Sequence, residues 1–197
     1  MSESQLTKEA LALSIKKLMI TIPLSKISIR EIADNCGVNR QTFYYHFKDK
    51  FDLVNWIYYT EAIENIADCK NYAHWTHGMY KTLVYFMENK CFYINALNTP
   101  GQNAFDGYLF EKTYDLIMGV VNDISTNINE SLEIKVTDTD KSFVADFYTH
   151  AFVGITVQWI KNRMVESPET MVGRLNDVVE GSMLGALTRS SNYHPEK

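Results

Sequence analysis

Between positions 40 and 46 the chain sets out a row of hydrogen-bonding side chains, Arg40, Gln41, Thr42, Tyr44, Tyr45 and His46, interrupted by Phe43 and closed by Phe47. Groups of this kind break no bonds by themselves; their chemistry is recognition. A guanidinium presents two parallel donors, a carboxamide one donor edge and one acceptor, and hydroxyls and imidazole can hold anionic oxygens. Phe43 and Phe47 are four apart and turn to one side of a helix, which leaves the polar groups on or near the other. Lys50 follows at what reads as another helix start, where its charge adds to a dipole that already favours phosphate.

The elements around this row are legible from their caps. Ser28 and Glu31 have the spacing of a capping box, and Ile29, Ile32 and Ala33 recur at helical spacing behind it. Gly37 supplies a turn position where a positive φ is tolerated. Asn39 can cap the next helix, and Asp49, with Asp52 in the first turn, a third. The spacing therefore predicts two short helices joined by a tight turn, with a third helix following at once. A helix–turn–helix lays the start of its second helix in the DNA major groove. Arg40 can pair with the O6/N7 edge of guanine and Gln41 with adenine, while Thr42, Tyr44, Tyr45, His46 and Lys50 reach the backbone. A small helical core subdomain with an aromatic edge is the plainer alternative, but it gives no reason for these donor types to follow such a turn.

The run IREIADNCGVNRQTFYYHFKDKFDL closely resembles the DNA-binding signature of the TetR/AcrR family of bacterial transcriptional regulators. The matching positions are Ile32-Ala33, Gly37-Val38, Thr42-Phe43-Tyr44, His46-Phe47, Lys50 and Leu53. The resemblance implies that Arg40, Gln41 and Thr42 face bases and that Tyr44, Tyr45, His46 and Lys50 hold the backbone. It adds Ser28 and Arg30 as contacts at the start of the preceding helix, and Asn39 stands beside them at the turn. Ser28 replaces the Thr more often found in the family, and Pro23 lies in a linker that usually carries Gly. The implied fold is all-α: residues 1–50 form a helix–turn–helix DNA-binding domain, and residues 51–197 a helical effector-binding and dimerisation domain.

Charge agrees with this division. The net charge is −5, yet residues 1–50 carry eight Lys/Arg against five Asp/Glu, and the remaining residues eleven against nineteen. A modestly basic head on an acidic body suits a DNA reader whose second part has another task, and it suggests two heads acting together. No apolar run reaches the roughly 18 residues that span a bilayer, and Met1 to Glu9 lacks an apolar signal segment, so no membrane partner and a cytoplasmic location are expected. Cys36, Cys69 and Cys91 show no C-x-x-C spacing and read as reduced thiols, with Cys36 filling space inside the helix–turn–helix.

Along the body, periodicity predicts a first helix over 5–22, a lever helix from Lys50 to about Cys69, and a helix from Trp75 to about Leu97. Pro100 and Gly101 mark a turn, Phe105 to about Ile128 a further helix, and 129–141 a polar loop. Helices over 142–165 and from Pro168 to Thr188 close the chain, the second capped by Ser167. Gly154 in one and Gly181 and Gly185 in the other suggest close helix packing. With Ile155, Trp159, Val178 and Ser182 they make the expected homodimer face. The stretch HAFVGITVQWIKNRMVESPETM also resembles the C-terminal region of a TetR branch that includes regulators of dihydroxyacetone kinase operons. An effector pocket is expected among Trp56, Tyr59, Trp75, Met79, Phe86, Tyr108, Tyr114, Phe147 and His150, side chains that could equally be ordinary core.

Nothing points to catalysis: there is no G-x-S-x-G elbow, H-E-x-x-H pair, Walker loop or G-x-G-x-x-G run. His74 and His77 are three apart with Cys69 upstream, which is too few ligands for a metal centre, and no cofactor is expected. The sequence thus points to a DNA-binding transcriptional regulator, with a ligand-responsive repressor acting as a homodimer on a palindromic operator as the first reading. An activator with a protein co-regulator, and an adaptor that uses the Tyr-rich face for protein contact, are the alternatives.

Overall fold

The structure, a computed structural model, describes residues 2–99, 105–132 and 136–190, all of whose regular elements are helical. The head holds α1 (Glu3–Met19), α2 (Ile29–Asn35) and α3 (Arg40–His46). The lever begins as α4 (Lys50–Tyr58), and the body holds α5 (Trp75–Glu88), α6 (Lys90–Leu97), α7 (Phe105–Leu132), α8 (Asp138–Lys161), α9 (Pro168–Val179) and α10 (Ser182–Ser190). Among the described residues no helix is long and apolar enough to cross a membrane.

The head forms where its caps predict. Ser28 and Glu31 close a complete capping box, Asn39 accepts from the Thr42 amide, and Asp49 accepts from the amides of Phe51 and Asp52. Gly37 takes φ +76° at the turn. Leu11, Ile15, Ile32, Phe43 and Leu53 are fully buried between these helices. Ser14 adds a tie that periodicity does not show: its buried hydroxyl donates to the Ile32 carbonyl (2.7 Å) and accepts from the Asn35 amide (3.0 Å). Cys36 is half-buried inside the motif, and burial pushes its thiol up.

Three predicted helices are broken, two of them at a polar group that competes with the helical ladder and the third at a glycine. The lever is α-helical only to Tyr58; it widens into a π-turn over Tyr59–Ile63 and tightens into a 3₁₀ stretch over Glu64–Cys69, with Ile66 off helical geometry. The Thr60 hydroxyl bonds back to the Trp56 carbonyl (2.9 Å) at the start of the wide turn. Such back-bonding and such wide turns bend helices. The predicted helix from Trp75 to Leu97 breaks at Asn89, whose side chain donates to the Tyr85 carbonyl (3.0 Å). The final helix breaks after Val179, where Gly181 takes φ +71°.

The first helix ends at Met19, short of Ile22: Pro23 has no N–H to carry the ladder on, and Asn95 of α6 satisfies the backbone left there. Its amide donates to the carbonyls of Met19 (2.9 Å) and Ile22 (2.7 Å), and its oxygen accepts from the Leu24 amide (2.7 Å). The predicted 129–141 loop is shorter than expected, since α7 runs to Leu132 and α8 starts at Asp138 behind a Thr137 cap. The predicted turn at Pro100 and Gly101 lies outside the described residues. One buried apolar cluster runs from Leu11 through α4 to Met171, so head and body share core across position 50; a second joins α7, α8 and α10.

Candidate nucleic-acid interface

Phe43 and Phe47 anchor α3 by one side, fully and nearly fully buried, with their rings 5.9 Å apart. The other side faces outward. Arg40, Gln41 and Tyr44 are exposed, and Tyr45 is 83% exposed. The Arg40 guanidinium lies over the Tyr44 ring at 5.4 Å and donates to its hydroxyl (3.2 Å). That contact holds a long side chain in a defined direction, which lowers the ordering cost of a later base contact. Asn39 and Thr42 are tied to each other: the Asn39 oxygen accepts from both the Thr42 amide (2.8 Å) and its hydroxyl (3.1 Å). His46 is half-buried, with its ring edge-on to Tyr45 at 4.9 Å.

Three residues expected at the interface also have partners within the head. The Ser28 hydroxyl donates to the Glu31 carboxylate (2.7 Å) and accepts from the Glu31 amide (3.2 Å), so it closes the cap. The Ser28 hydrogen bonds hold the Glu31 carboxyl below the usual carboxylate range. Arg30 is exposed and lies beside Asp34 at 3.4 Å, an i,i+4 surface pair. Lys50 departs furthest from expectation. Its ammonium donates to the carbonyls of Leu24 (2.6 Å), Ser25 (3.2 Å) and Ile27 (2.8 Å). An ammonium has three hydrogens, and all three are committed to the connector between α1 and α2. Burial pulls its pKa down, while the Asp49 and Glu31 carboxylates pull it back up. Lys48, which the sequence reading passed over, carries an exposed side chain at the end of α3.

Lys50→Met tests this placement, because methionine keeps the apolar stem and removes the three donors. The expected result is a loss of about 1–3 kcal/mol of stability in thermal melts. The salt slope of DNA binding is expected to stay unchanged. A slope reduced by about 1 per head would return Lys50 to the phosphates.

A second polar system joins head to body. Lys16 of α1 pairs with Glu61 on the π-turn of the lever and donates to Asn89 (3.3 Å). The Tyr85 hydroxyl donates to the same Glu61 carboxylate (2.8 Å), and the Tyr93 hydroxyl donates to Tyr85 (3.1 Å). With the three bonds of Asn95, this network ties α1 to the lever and to both halves of the broken α5–α6 pair. These groups lie far apart in the chain, so no spacing rule marks them.

The body holds a partly open cavity of about 100 Å³. Trp75, Met79 and Phe86 line it, as expected of pocket residues. The other six do not. Trp56 packs on Phe47 of the head, 5.7 Å between rings, with the Lys8 ammonium on its face. Tyr59 is exposed beside a separate pocket that Lys112 and Asp115 also line. Tyr108 covers Tyr58 from outside and carries the Lys112 ammonium over its ring. Tyr114 packs against the second core cluster, Phe147 is 63% exposed, and the exposed His150 lies against Phe110 at 4.7 Å. Aromatic content marked these residues, but the face each helix turns inward decides which of them meet a cavity. Leu83, Ile117 and Phe152 also stand in its wall.

On the outer face of α8 and α9, Ile155 and Val178 are exposed beside a groove that also holds Arg174 and Trp159. Val178 is 75% exposed. Trp159 itself is nearly buried, because its indole N–H donates to the Glu166 carbonyl (2.9 Å). Within the chain, none of the three glycines expected at this face makes a tight helix–helix contact. A Cβ at Gly154 would meet nothing, Gly181 serves the break before α10, and Gly185 faces its own helix's Arg189. Ser182 points inward and shares a hydrogen bond with the Tyr148 hydroxyl (2.7 Å). Close approach occurs at Gly78 instead, where an added Cβ would lie 2.7 Å from that of Cys69.

Comparison with known proteins agrees with this architecture. Residues 8–57 match the family model described as "Bacterial regulatory proteins, tetR family", and residues 73–181 match the one described as "Transcriptional regulator C-terminal region". The HTH-type dhaKLM operon transcriptional activator DhaS of Lactococcus lactis subsp. lactis (strain IL1403) is 27% identical over 156 residues, covering 79% of this chain and 80% of the relative. The solved structure of a dihydroxyacetone kinase operon activator DhaS superposes with a TM-score of 0.68 at 24% identity, covering 93% of this chain and 97% of that one. NalD, the secondary repressor of the MexAB-OprM multidrug efflux pump in Pseudomonas aeruginosa, superposes with a TM-score of 0.61 at 15% identity, covering 94% and 98%.

Proposed function

We propose, from the premise that this chain belongs to the tetR family of bacterial regulatory proteins and is a DNA-binding transcriptional regulator, that it reads a palindromic operator as a homodimer and answers to a small effector. The observation that carries the DNA reading is the two-sided α3: buried Phe43 and Phe47 behind, and exposed Arg40, Gln41, Tyr44 and Tyr45 in front. Arg40 and Gln41 are the base readers. Tyr44, Tyr45, His46 and the exposed Lys48 hold the backbone, and residues 1–50 act as the reading head of an effector-binding body.

A short recognition helix spans only one half-site, so specific binding calls for a second head at a fixed distance. The apolar Ile155 and Val178 on α8 and α9 support a second copy seated on that face, with Gly154 at its edge. Effector response is supported by the route from cavity to head. The cavity wall includes Ile66 and Cys69, which belong to the lever's 3₁₀ extension, and the Lys16–Glu61 pair ties that lever to α1. A ligand that shifts the lever changes the spacing of two heads that share one duplex, and so removes their paired affinity.

The output of this reading is repression by occupying the operator. Activation, with a protein co-regulator docking on the body, is a second reading favoured by one observation: the 27% identical relative is described as an activator. Selection of bound duplexes from a random pool tests the common core. A two-fold symmetric consensus is expected, with half-sites about one helical turn apart or a multiple of it, and an affinity that falls steeply with salt. No enrichment by folded, dimeric protein would overturn it. Sedimentation that finds a monomer at micromolar concentration would overturn the dimer.

A further inference from the structure

Resting on the reading of an effector-responsive body, we infer that the cavity takes small, uncharged, hydrocarbon-like molecules of about the size of benzene and rejects anions and polyols. The chemistry of its wall carries this. No Asp, Glu, Lys, Arg or His is among its lining residues. A carboxylate or phosphate entering it would lose part of its hydration and find no counter-charge.

Four hydroxyl residues stand in the wall, Tyr58, Thr82, Thr113 and Thr156, and two of them are engaged by their own helices. Thr82 donates to the Gly78 carbonyl (2.9 Å) and Thr113 to the Leu109 carbonyl (2.7 Å). Each hydroxyl has one hydrogen, so toward the cavity Thr82 and Thr113 offer methyl groups and an oxygen lone pair, which leaves Tyr58 and Thr156 as the wall's hydroxyl donors. A ligand with one or two polar groups can be satisfied there; a polyol, which has a donor and acceptor on every carbon, meets a wall that is otherwise carbon and sulfur. Burial pushes the Cys69 thiol up, so it too faces the cavity uncharged.

Size and shape narrow the class further. The cavity measures about 100 Å³, against the roughly 150 Å³ of an engineered apolar cavity that binds benzene. Met79 and Met183 lie in its wall, and flexible thioethers supply the remaining room by changing rotamer. Trp75, Phe86 and Phe152 present ring faces and edges suited to an aromatic guest. Ile66 and Cys69 join the wall from the lever itself, so an occupant of this class presses on the element that carries the head.

Thermal melting of the full chain with benzene, benzoate or glycerol tests the inference, alongside operator binding in the same solutions. Benzene at about ten times its dissociation constant is expected to raise the melting temperature by about 3–6 °C. Benzoate and glycerol are expected to leave it unchanged. Thr82→Leu and Val120→Phe, two independent ways to fill the cavity, are each expected to weaken benzene binding about tenfold or more. The inference is overturned if benzene gives no shift, if benzoate or glycerol stabilises as much, or if both filled variants respond to benzene as the natural chain does. The two readings fail separately. A benzene shift with unchanged operator affinity upholds the ligand class and sinks the effector response. Operator release by glycerol or benzoate without a benzene shift does the reverse.

Discussion

Replacing Arg40 with alanine is expected to weaken operator binding by about 1–3 kcal/mol for each half-site, or about twice that for a dimer that uses both heads. The argument starts from position. Arg40 is the first residue of α3, the part of a recognition helix that meets base edges. It is exposed, and its guanidinium is steered by the Tyr44 ring and hydroxyl instead of being held by a carboxylate. Its fork therefore remains available to the O6/N7 edge of guanine. Alanine is a good helix former, so the loss should appear in DNA affinity with little change in melting temperature. Arg40→Lys separates fork from charge: a point charge cannot reproduce the bidentate pair, so most of the sequence preference should go while the salt slope stays. Competition binding with operators changed one base pair at a time is the measurement. If Arg40→Ala leaves the preference at every position intact, Arg40 is not a base reader.

The largest loss of stability is expected from Phe86→Ala, at about 3–5 kcal/mol. Phe86 is fully buried where lever, α5 and α6 converge. Its ring stacks on Tyr58 with centroids 5.6 Å apart and meets the edge of Tyr93 at 4.6 Å, and Tyr58 in turn contacts Phe105 at 5.2 Å. Truncation removes apolar contacts from three elements at once, and the surrounding rings are too stiff to close the space. Denaturant unfolding should show the loss as a lower midpoint at unchanged slope. Because Phe86 also lines the cavity, the variant should accept guests larger than benzene and recover part of the lost stability when they are added. A loss below about 1 kcal/mol would mean that the cluster relaxes around the gap, and the rigid coupling between lever and body would then need another source.

The reading head was legible from sequence because its determinants are local. The Ser28–Glu31 box, the Asn39 and Asp49 caps, Gly37 at the turn and the four-residue spacing of Phe43 and Phe47 act over one or two helical turns. Periodicity likewise predicted the lever, the long α7 and α8, and the Ser167–Pro168 start of α9. The breaks at Thr60 and Asn89 were not legible, because a hydroxyl or amide inside a helical pattern leaves the helix only when neighbouring elements favour the bend.

The roles of polar side chains depended even more on distant partners. Lys50 reads as a phosphate clamp until the connector at Leu24–Ile27 folds beneath it and takes its three donors. Asn95 reads as an ordinary helix residue until it receives the end of α1, more than seventy positions earlier in the chain. Of nine aromatic, histidine and methionine side chains expected around an effector, only Trp75, Met79 and Phe86 reach the cavity. Composition by itself determined that such side chains were plentiful, and local spacing determined the head that faces DNA. Which side chains meet one another across the body was decided only in the tertiary structure, because an apolar helix face specifies that it must be buried and leaves open against what.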